Sequence, residues 1–129
     1  MRVLVVDDYP GAADIACILV RMLGHDARGA KTGKQAVDEA AAFEPDVIVL
    51  DIGLPDFDGY EVARRVRAQP GKRPFIAAMT GWDHPDRRAL SLAAGIDMHV
   101  LKPASEESLT NILEAAKKQL SEPDEALPA

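Results

Sequence analysis

The sequence predicts one α/β domain built on a doubly wound parallel sheet of five strands. The chain has 129 residues, of which 47% are hydrophobic, enough for a single domain with its own core. Short runs rich in β-branched residues alternate with segments of helical periodicity. These runs are apolar on both faces, as buried parallel strands require. Strict alternation of five strands with five helices favours right-handed crossovers and a doubly wound sheet.

Five short segments predict the strands. They are VLVV at 3–6, residues 26–30, DVIVL at 46–50, PFIAAM at 74–79 and MHVL at 98–101. The second segment, DARGA, has poor strand propensity, so the alternation of elements alone predicts a strand there.

Amphipathic segments predict the helices between and after the strands. In the first helix the apolar positions with helical spacing are Ile15, Ile18, Leu19, Met22 and Leu23, and Gly24 supplies a stop. In the last helix they are Leu109, Ile112, Leu113, Ala116 and Leu120. We expect both helices to lay these stripes on the sheet. The middle helices are predicted at 33–43, 58–68 and 84–94, before Pro45, Pro70 and Gly95 respectively.

The charge balance restricts the possible partners. A formal net charge of −6 argues against a nucleic-acid or anionic-membrane surface, because such surfaces are bound mainly by clustered Lys and Arg. We interpret the one basic cluster, Arg64, Arg65 and Arg67, as the solvated face of a helix. The single cysteine, Cys17, excludes an internal disulfide, is expected to serve in packing, and fits a reducing cytosol.

The hydrophobic pattern and the two terminal segments lead us to expect a cytoplasmic domain with a short tail. No apolar run approaches the length of a membrane span, and no export signal precedes the first strand. We therefore expect no membrane contact and a cytoplasmic location. Residues 1–120 are predicted to form the domain, and the proline- and acid-rich residues 121–129 a disordered acidic tail.

Five polar residues follow or end separate strand segments: Asp7, Asp8, Asp51, Thr80 and Lys102. Because parallel strands end at the same edge of a sheet, these residues would converge on one cleft. Each has an ordinary interpretation alone, as a turn, a helix cap or an exposed lysine, and only their joint occurrence favours a site. Three crowded carboxylates need a cation or a proton to neutralise them. The set suits magnesium-assisted phosphoryl transfer.

The segments that carry these residues resemble the receiver domain of two-component response regulators. VLVVDD, VLDIGLPDFDGYEVARRVR, AAMTGWDHPDRRALSLAAGID and HVLKP match that family in order and spacing over essentially residues 1–120. The resemblance implies a flavodoxin-like sheet with strand order 2-1-3-4-5. Within the family, the chain is most similar to receivers attached to or working beside hybrid sensor kinases.

The resemblance also implies a role for each site residue. Asp51 would be the phosphoacceptor that becomes a 4-aspartylphosphate. Mg²⁺ would be held by Asp8, Asp51 and the main-chain carbonyl of Gly53, with Asp7 acting through the water shell of the metal. Thr80 and Lys102 would contact the phosphoryl oxygens, and a cis bond before Pro103 would aim the lysine into the cleft.

Four positions depart from the pattern of the family. His99 stands where many receivers have Tyr or Phe, so it is either the switch residue, together with Thr80, or a partly exposed edge residue. Gly53 and Trp82 flank the expected path of attacking water, and Trp82 could also be an exposed docking anchor. Tyr9 stands where acidic or amide residues are frequent.

The favoured function is a phosphorelay signalling module. A sensor histidine kinase or a histidine phosphotransfer protein would donate the phosphoryl group to Asp51. The product would switch a face formed by the fourth helix, last strand and last helix, which binds a downstream protein. We expect no enzyme activity beyond self-phosphorylation and slow autodephosphorylation. We also expect no nucleic-acid binding, because no helix-turn-helix sequence follows residue 120.

Two alternatives share parts of this pattern. A small metal-dependent phosphohydrolase would use Asp51 as a covalent nucleophile, but Gly53 stands where such an enzyme needs an acid. A flavin binder would use the same topology, but the acids that end the first strand would repel a flavin phosphate.

Overall fold

The computed structural model describes residues 1–81, 85–102 and 104–121. Helices and strands alternate in these residues as β1 Arg2–Val6, α1 Ala12–Met22, β2 Asp26–Ala30, α2 Gly33–Phe43, β3 Val47–Asp51, α3 Gly59–Ala68, β4 Phe75–Thr80, α4 Pro85–Ala94, β5 Met98–Leu101 and α5 Glu106–Ser121. The strands form one parallel sheet in the order β2-β1-β3-β4-β5, which confirms the predicted fold class and strand order. Expectations about Trp82, the bond before Pro103, and the tail beyond residue 121 fall outside the described residues.

The core lies in two layers, one on each face of the sheet. Val3, Val5, Val47 and Val49 point to the layer formed with α1 and α5. Their neighbours Leu4, Val6, Ile48 and Leu50 point to the layer that contains residues of α2, α3 and α4. Since successive strand residues face opposite sides, a strand buried on both faces must be apolar throughout. This is why the central strands could be recognised from sequence.

Strand β2 exists despite its poor propensity because it lies at the edge of the sheet and needs few buried side chains. It pairs with β1 from Arg2 opposite Asp26 to Val6 opposite Ala30. Only Ala27 and Ala30 of the strand are buried. The backbone ladder and two alanines are therefore sufficient for its place in the sheet.

The predicted apolar stripe of α1 is confirmed at Leu19 and Leu23, which are half-buried against the core, and wrong at its other three positions. Ile15, Ile18 and Met22 are exposed, and Met22 is 76% accessible. The residues that α1 buries are Ala13, Ala16, Cys17 and Val20. Small side chains let this helix lie close to the sheet, so the larger residues one step around the helix are left outside. The packing role of Cys17 is confirmed. In α5 the predicted stripe is confirmed from Leu109 to Ala116, whereas Leu120 is exposed.

The interpretation of the basic cluster is wrong for Arg67. Arg64 and Arg65 are exposed and pair with Glu61, as a solvated face would. The side chain of Arg67 is only 15% exposed and forms a 2.9 Å ion pair with Asp97. It also donates through two nitrogens to the carbonyl of Gly95 and through the third to that of Pro74, at 2.7–3.0 Å. Arg67 thus ties α3 to the start of β4 and to the α4–β5 loop.

In the part of the chain that the structure describes, no helix has the length and apolar character needed to cross a membrane.

Candidate functional site

The site lies at the edge of the sheet where the parallel strands end. Strands β1, β3, β4 and β5 end at Val6, Asp51, Thr80 and Leu101. Asp7 and Asp8 follow β1 directly, and Lys102 follows β5. The backbone N–H of Lys102 donates to the carbonyl of Thr80 at 2.7 Å, which fixes the end of β5 beside the end of β4.

Three carboxylates converge at this edge. Asp7, Asp8 and Asp51 each offer an oxygen, and these oxygens lie within 4.8 Å of one another. Asp51 is only 6% exposed, Asp7 is half-buried and Asp8 is exposed. The chain turns after Val6, so two adjacent aspartates can reach the same cleft. The convergence predicted for the acidic residues is therefore present.

Lys102 is the cation of the site. Its Nζ lies 3.0 Å from Oδ2 of Asp51 and 3.5 Å from Oδ2 of Asp7. Desolvation acts to lower the pKa of Lys102, but the hydrogen bond and charge of Asp51, together with Asp7, outweigh it and raise the pKa above its usual value. The ammonium is therefore charged at every physiological pH.

The Asp51 carboxyl is held in an environment that disfavours its charge. Burial raises the pKa of Asp51 to about 6, and the charge of Asp7 adds to the effect. Lys102 and the N–H of Gly53, which donates to Oδ1 of Asp51 at 3.2 Å, oppose the rise without cancelling it. Burial, more than the neighbouring acid, therefore disfavours the charged form of Asp51, and Lys102 offsets only part of this cost.

The loop after β3 leaves Asp51 little room to move. The N–H of Ile52 donates to the carbonyl of Met79 at 3.3 Å, and the N–H of Gly59 donates back to the carbonyl of Ile52 at 2.8 Å. A Cβ on Gly59 would lie 2.7 Å from the carbonyl oxygen of Asp51, so glycine is required there. Gly53, by contrast, is exposed and has open space where a side chain would begin.

The two predicted switch residues lie on neighbouring strands. Thr80 is 4% exposed at the end of β4, and His99 lies opposite Ala78 on β5. Nε2 of His99 is in hydrogen-bond contact with the hydroxyl of Ser91, a buried residue of α4. Ser91 could not be identified from the sequence, because a serine within a helical run gives no signal of a contact with a residue eight positions away.

The donor set fits magnesium. Carboxylate and carbonyl oxygens are the ligands this cation prefers, and it commonly uses one or two carboxylates with water and phosphate completing the shell. Three acids beside one lysine leave a negative balance that a divalent ion would offset. Asp8 and Asp51 could both hold such an ion.

A 2-1-3-4-5 parallel sheet with an acidic cluster and a lysine at the carboxyl ends of its strands defines a flavodoxin-like domain whose candidate site lies where such sheets bind ligands. A sequence model described as the response regulator receiver domain matches residues 3–114. The chain belongs to this family, as its motifs predicted.

Similar proteins agree with this assignment. The transcriptional regulatory protein TrcR of Mycobacterium tuberculosis is 38% identical over 109 residues, which cover 84% of this chain and 42% of TrcR. The DNA-binding response regulator MtrA of Mycolicibacterium smegmatis is 34% identical over 127 residues, which cover 98% of this chain and 55% of MtrA. The solved structure of the Vibrio cholerae chemotaxis protein CheY4 superposes with a TM-score of 0.84 at 27% identity, covering 89% of this chain and 97% of CheY4.

The chain spans about half the length of the curated relatives named above. The expectation that it does not bind nucleic acid therefore concerns this domain and does not extend to a longer protein. These relatives are named as transcriptional or DNA-binding regulators, so the narrower resemblance to receivers of hybrid sensor kinases stays a prediction.

Proposed function

We propose that the chain is a phosphoacceptor that takes a phosphoryl group on Asp51 from the phosphohistidine of a sensor kinase or a histidine phosphotransfer protein. The observation that carries this proposal is the ion pair of Lys102 with buried Asp51 at 3.0 Å, inside a cluster with Asp7 and Asp8. In the transfer, an Asp51 carboxylate oxygen forms the new bond to phosphorus while the bond from phosphorus to the imidazole nitrogen breaks. The product is a 4-aspartylphosphate.

The residues around Asp51 compensate charge during this step. The Lys102 ammonium is already at hydrogen-bond distance from one Asp51 oxygen, so it can follow the negative charge onto the phosphoryl oxygens. Asp8, Asp51 and the Gly53 carbonyl would hold Mg²⁺, with Asp7 acting through its water shell, and the ion would supply further positive charge to the site.

The structural effect of phosphorylation would be transmitted from the site to the surface through β4, β5 and α4. The hydroxyl of Thr80 would donate a hydrogen bond to a phosphoryl oxygen. Because this hydrogen bond can form only when Asp51 is phosphorylated, it would shift the equilibrium between two conformations. His99 on β5 is linked to Ser91 on α4. Leu92, which is 78% exposed, and Leu101 offer apolar surface to a protein partner on this side.

The phosphoacceptor assignment is tested with acetyl phosphate and Mg²⁺ by intact mass. We expect the wild-type protein to gain one phosphoryl group, and Asp51→Asn to gain none. Asp38→Asn, which removes an exposed acid on α2, is the matched control and should behave as wild type. Labelling of Asp51→Asn, or unchanged labelling in excess chelator, would contradict the proposal.

The switch is tested by amide chemical shifts with and without the phosphodonor. Thr80→Ala should still accept the phosphoryl group, but the shift changes of α4 and β5 should be reduced. Ser91→Ala should keep the changes near Thr80 and lose those along α4, because the link to His99 is absent. A response of Thr80→Ala equal to that of wild type would refute the role of Thr80.

We also propose that the output of this domain is a protein contact. Its net charge of −6 gives phosphate backbones little to bind. Binding of the phosphorylated domain to duplex DNA at micromolar concentration, weakening with salt, would contradict this.

A further inference from the structure

The loop that carries Gly53 is fastened to a second element, helix α2. The carboxylate of Asp56 accepts a hydrogen bond from the N–H of Gly33 at 2.7 Å on Oδ1 and one from the N–H of Lys34 at 2.9 Å on Oδ2. These are the first two amides of α2, which have no partner inside the helix. A side chain 22 residues away in sequence from Lys34 therefore completes the start of this helix.

The remaining amides of this helix start are satisfied from within α2 and its cap. The side chain of Thr32 accepts from the N–H of Gln35 at 3.1 Å, and its carbonyl accepts from the N–H of Ala36 at 3.0 Å. Thr32 and Asp56 thus both cap α2, but of these two residues Asp56 is the one that connects the helix to the loop after β3. This division allows the two contributions to be separated by experiment.

A second contact, between Phe57 and Gly33, holds the same loop against α2. A Cβ on Gly33 would lie 2.7 Å from the ring of Phe57, so the ring packs directly against the backbone of the helix. The guanidinium of Arg65 lies 4.0 Å from the centroid of this ring. The outer half of the loop is therefore held at two consecutive residues, Asp56 and Phe57.

The first residues of the same loop, Ile52 to Leu54, lie beside Asp51 in the phosphoacceptor site. The N–H of Gly53 donates to Asp51, and that of Leu54 donates to Ile52 at 3.1 Å.

Desolvation acts to raise the pKa of Asp56, but the N–H groups of Lys34, Gly33 and Phe57 outweigh it and lower the pKa to about 2. The carboxylate is therefore ionised throughout the physiological range.

We propose that Asp56 is a positioning residue for the magnesium site: by fastening the β3–α3 loop to α2, it holds Gly53 and Asp51 in the arrangement that receives the cation. The inference rests on the proposed function, because it concerns the metal site of the same reaction. It predicts a specific defect. Without Asp56 the loop should be looser, and magnesium should bind less tightly although none of its ligands has changed.

The test compares Asp56→Ala with Thr32→Ala by titrating Mg²⁺ without a phosphodonor and following the amide shifts of Asp51 and Gly53. We expect the dissociation constant of Asp56→Ala to rise about tenfold, at the low end for groups that orient metal ligands. At saturating Mg²⁺ its phosphorylation rate should recover to that of wild type. Asp56→Asn, whose amide oxygen can accept one of the two hydrogen bonds, should show an intermediate constant.

Thr32→Ala is the matched control. It should speed amide exchange at Gln35, as Asp56→Ala should at Gly33 and Lys34, but leave the Mg²⁺ constant within about twofold of wild type. Equal Mg²⁺ affinity of Asp56→Ala and wild type, or an equal loss in Thr32→Ala, would overturn the positioning role. Failure of the wild-type protein to bind Mg²⁺ would instead overturn the proposed function, so the two failures are distinguishable.

Discussion

Replacing the buried phosphoacceptor by its neutral isostere should stabilise the protein. Asp51 lies in a cluster with two other acids, and burial raises its pKa from 3.8 to about 6. A carboxyl whose pKa rises on folding is less stable in its charged form when folded than when unfolded. The asparagine side chain of Asp51→Asn would have nearly the same shape, keep an oxygen for the N–H of Gly53 and carry no charge.

The size and pH dependence of the effect follow from this shift. A rise of about two units corresponds to about 3 kcal/mol at 1.36 kcal/mol per unit. Between pH 3.8 and 6 the folded protein binds more protons than the unfolded chain at this group, so stability falls as the pH rises through that interval. The cost is fully present above pH 6 and absent below pH 3.8. Because Lys102 loses its closer partner in Asp51→Asn, we expect a net gain of about 1–3 kcal/mol at pH 7.5.

Urea unfolding in excess chelator measures the difference directly. The free energies of unfolding of wild type and Asp51→Asn are compared at pH 7.5 and pH 4.5, so that all other carboxyl groups cancel. The gain should shrink strongly at the lower pH. Asp38→Asn, an exposed and weakly paired position, should differ from wild type by less than about 0.5 kcal/mol at both values.

Magnesium provides a second arm of the same experiment. Saturating Mg²⁺ should stabilise wild type and leave Asp51→Asn little changed, because a ligand stabilises only the protein that binds it. The reasoning would be refuted if Asp51→Asn were no more stable than wild type at pH 7.5, or if the difference were the same at both pH values.

Two further changes test the fold and the geometry of the site. Arg67→Ala should lower the free energy of unfolding by about 3 kcal/mol, because it removes the closer ion pair of Asp97 and three hydrogen bonds to carbonyl groups. The loss stays at the low end for a broken buried pair because Arg73 still lies 3.6 Å from Asp97. Arg64→Ala should cost less than about 1 kcal/mol in the same urea assay, and similar losses would contradict the distinction between buried and exposed arginines. Gly59→Ala should slow phosphorylation by acetyl phosphate, because the added Cβ would displace the backbone of Asp51. Gly53→Ala, which adds a Cβ in open space, should fold normally. Equal phosphorylation rates for Gly59→Ala and wild type would show that Asp51 tolerates the displacement.

The fold was predictable because the central strands are apolar on both faces and a polar residue ends or directly follows each of them. The ends of these strands fell within one residue of their predicted positions. Strand β2 could be placed only by the alternation of elements, since its five residues bury just two alanines. Strand propensity gave no useful signal for β2, because backbone hydrogen bonds to β1, rather than the packing of large side chains, hold this strand in the sheet.

Side-chain burial on the helices was less predictable. The larger apolar residues of α1, such as Ile15 and Met22, were expected inside, yet the helix buries its small residues. Close approach to the sheet selects for small side chains, and periodicity cannot distinguish a small buried face from a large exposed one. Arg67 was similarly misjudged, because its partner Asp97 comes from another part of the chain.

The acidic cluster of the site could be predicted from the positions of the strand ends, but the residues that hold the surrounding loop and helix in place could not. Asp56 stands in a segment rich in turn formers, and its hydrogen bonds to Gly33 and Lys34 depend on tertiary packing. Ser91 is likewise defined by its contact with His99. Such contacts between distant segments become visible only when the elements are assembled.

The central claim is that Asp51 receives the phosphoryl group, and chemical trapping of the acyl phosphate tests it most directly. The protein is incubated with acetyl phosphate and Mg²⁺, reduced with borohydride, digested and sequenced by mass spectrometry. The account predicts homoserine at position 51 in the phosphorylated sample and unmodified aspartate at Asp7 and Asp8. Homoserine at either of those positions, or at none after the protein has gained a phosphoryl group, would contradict it.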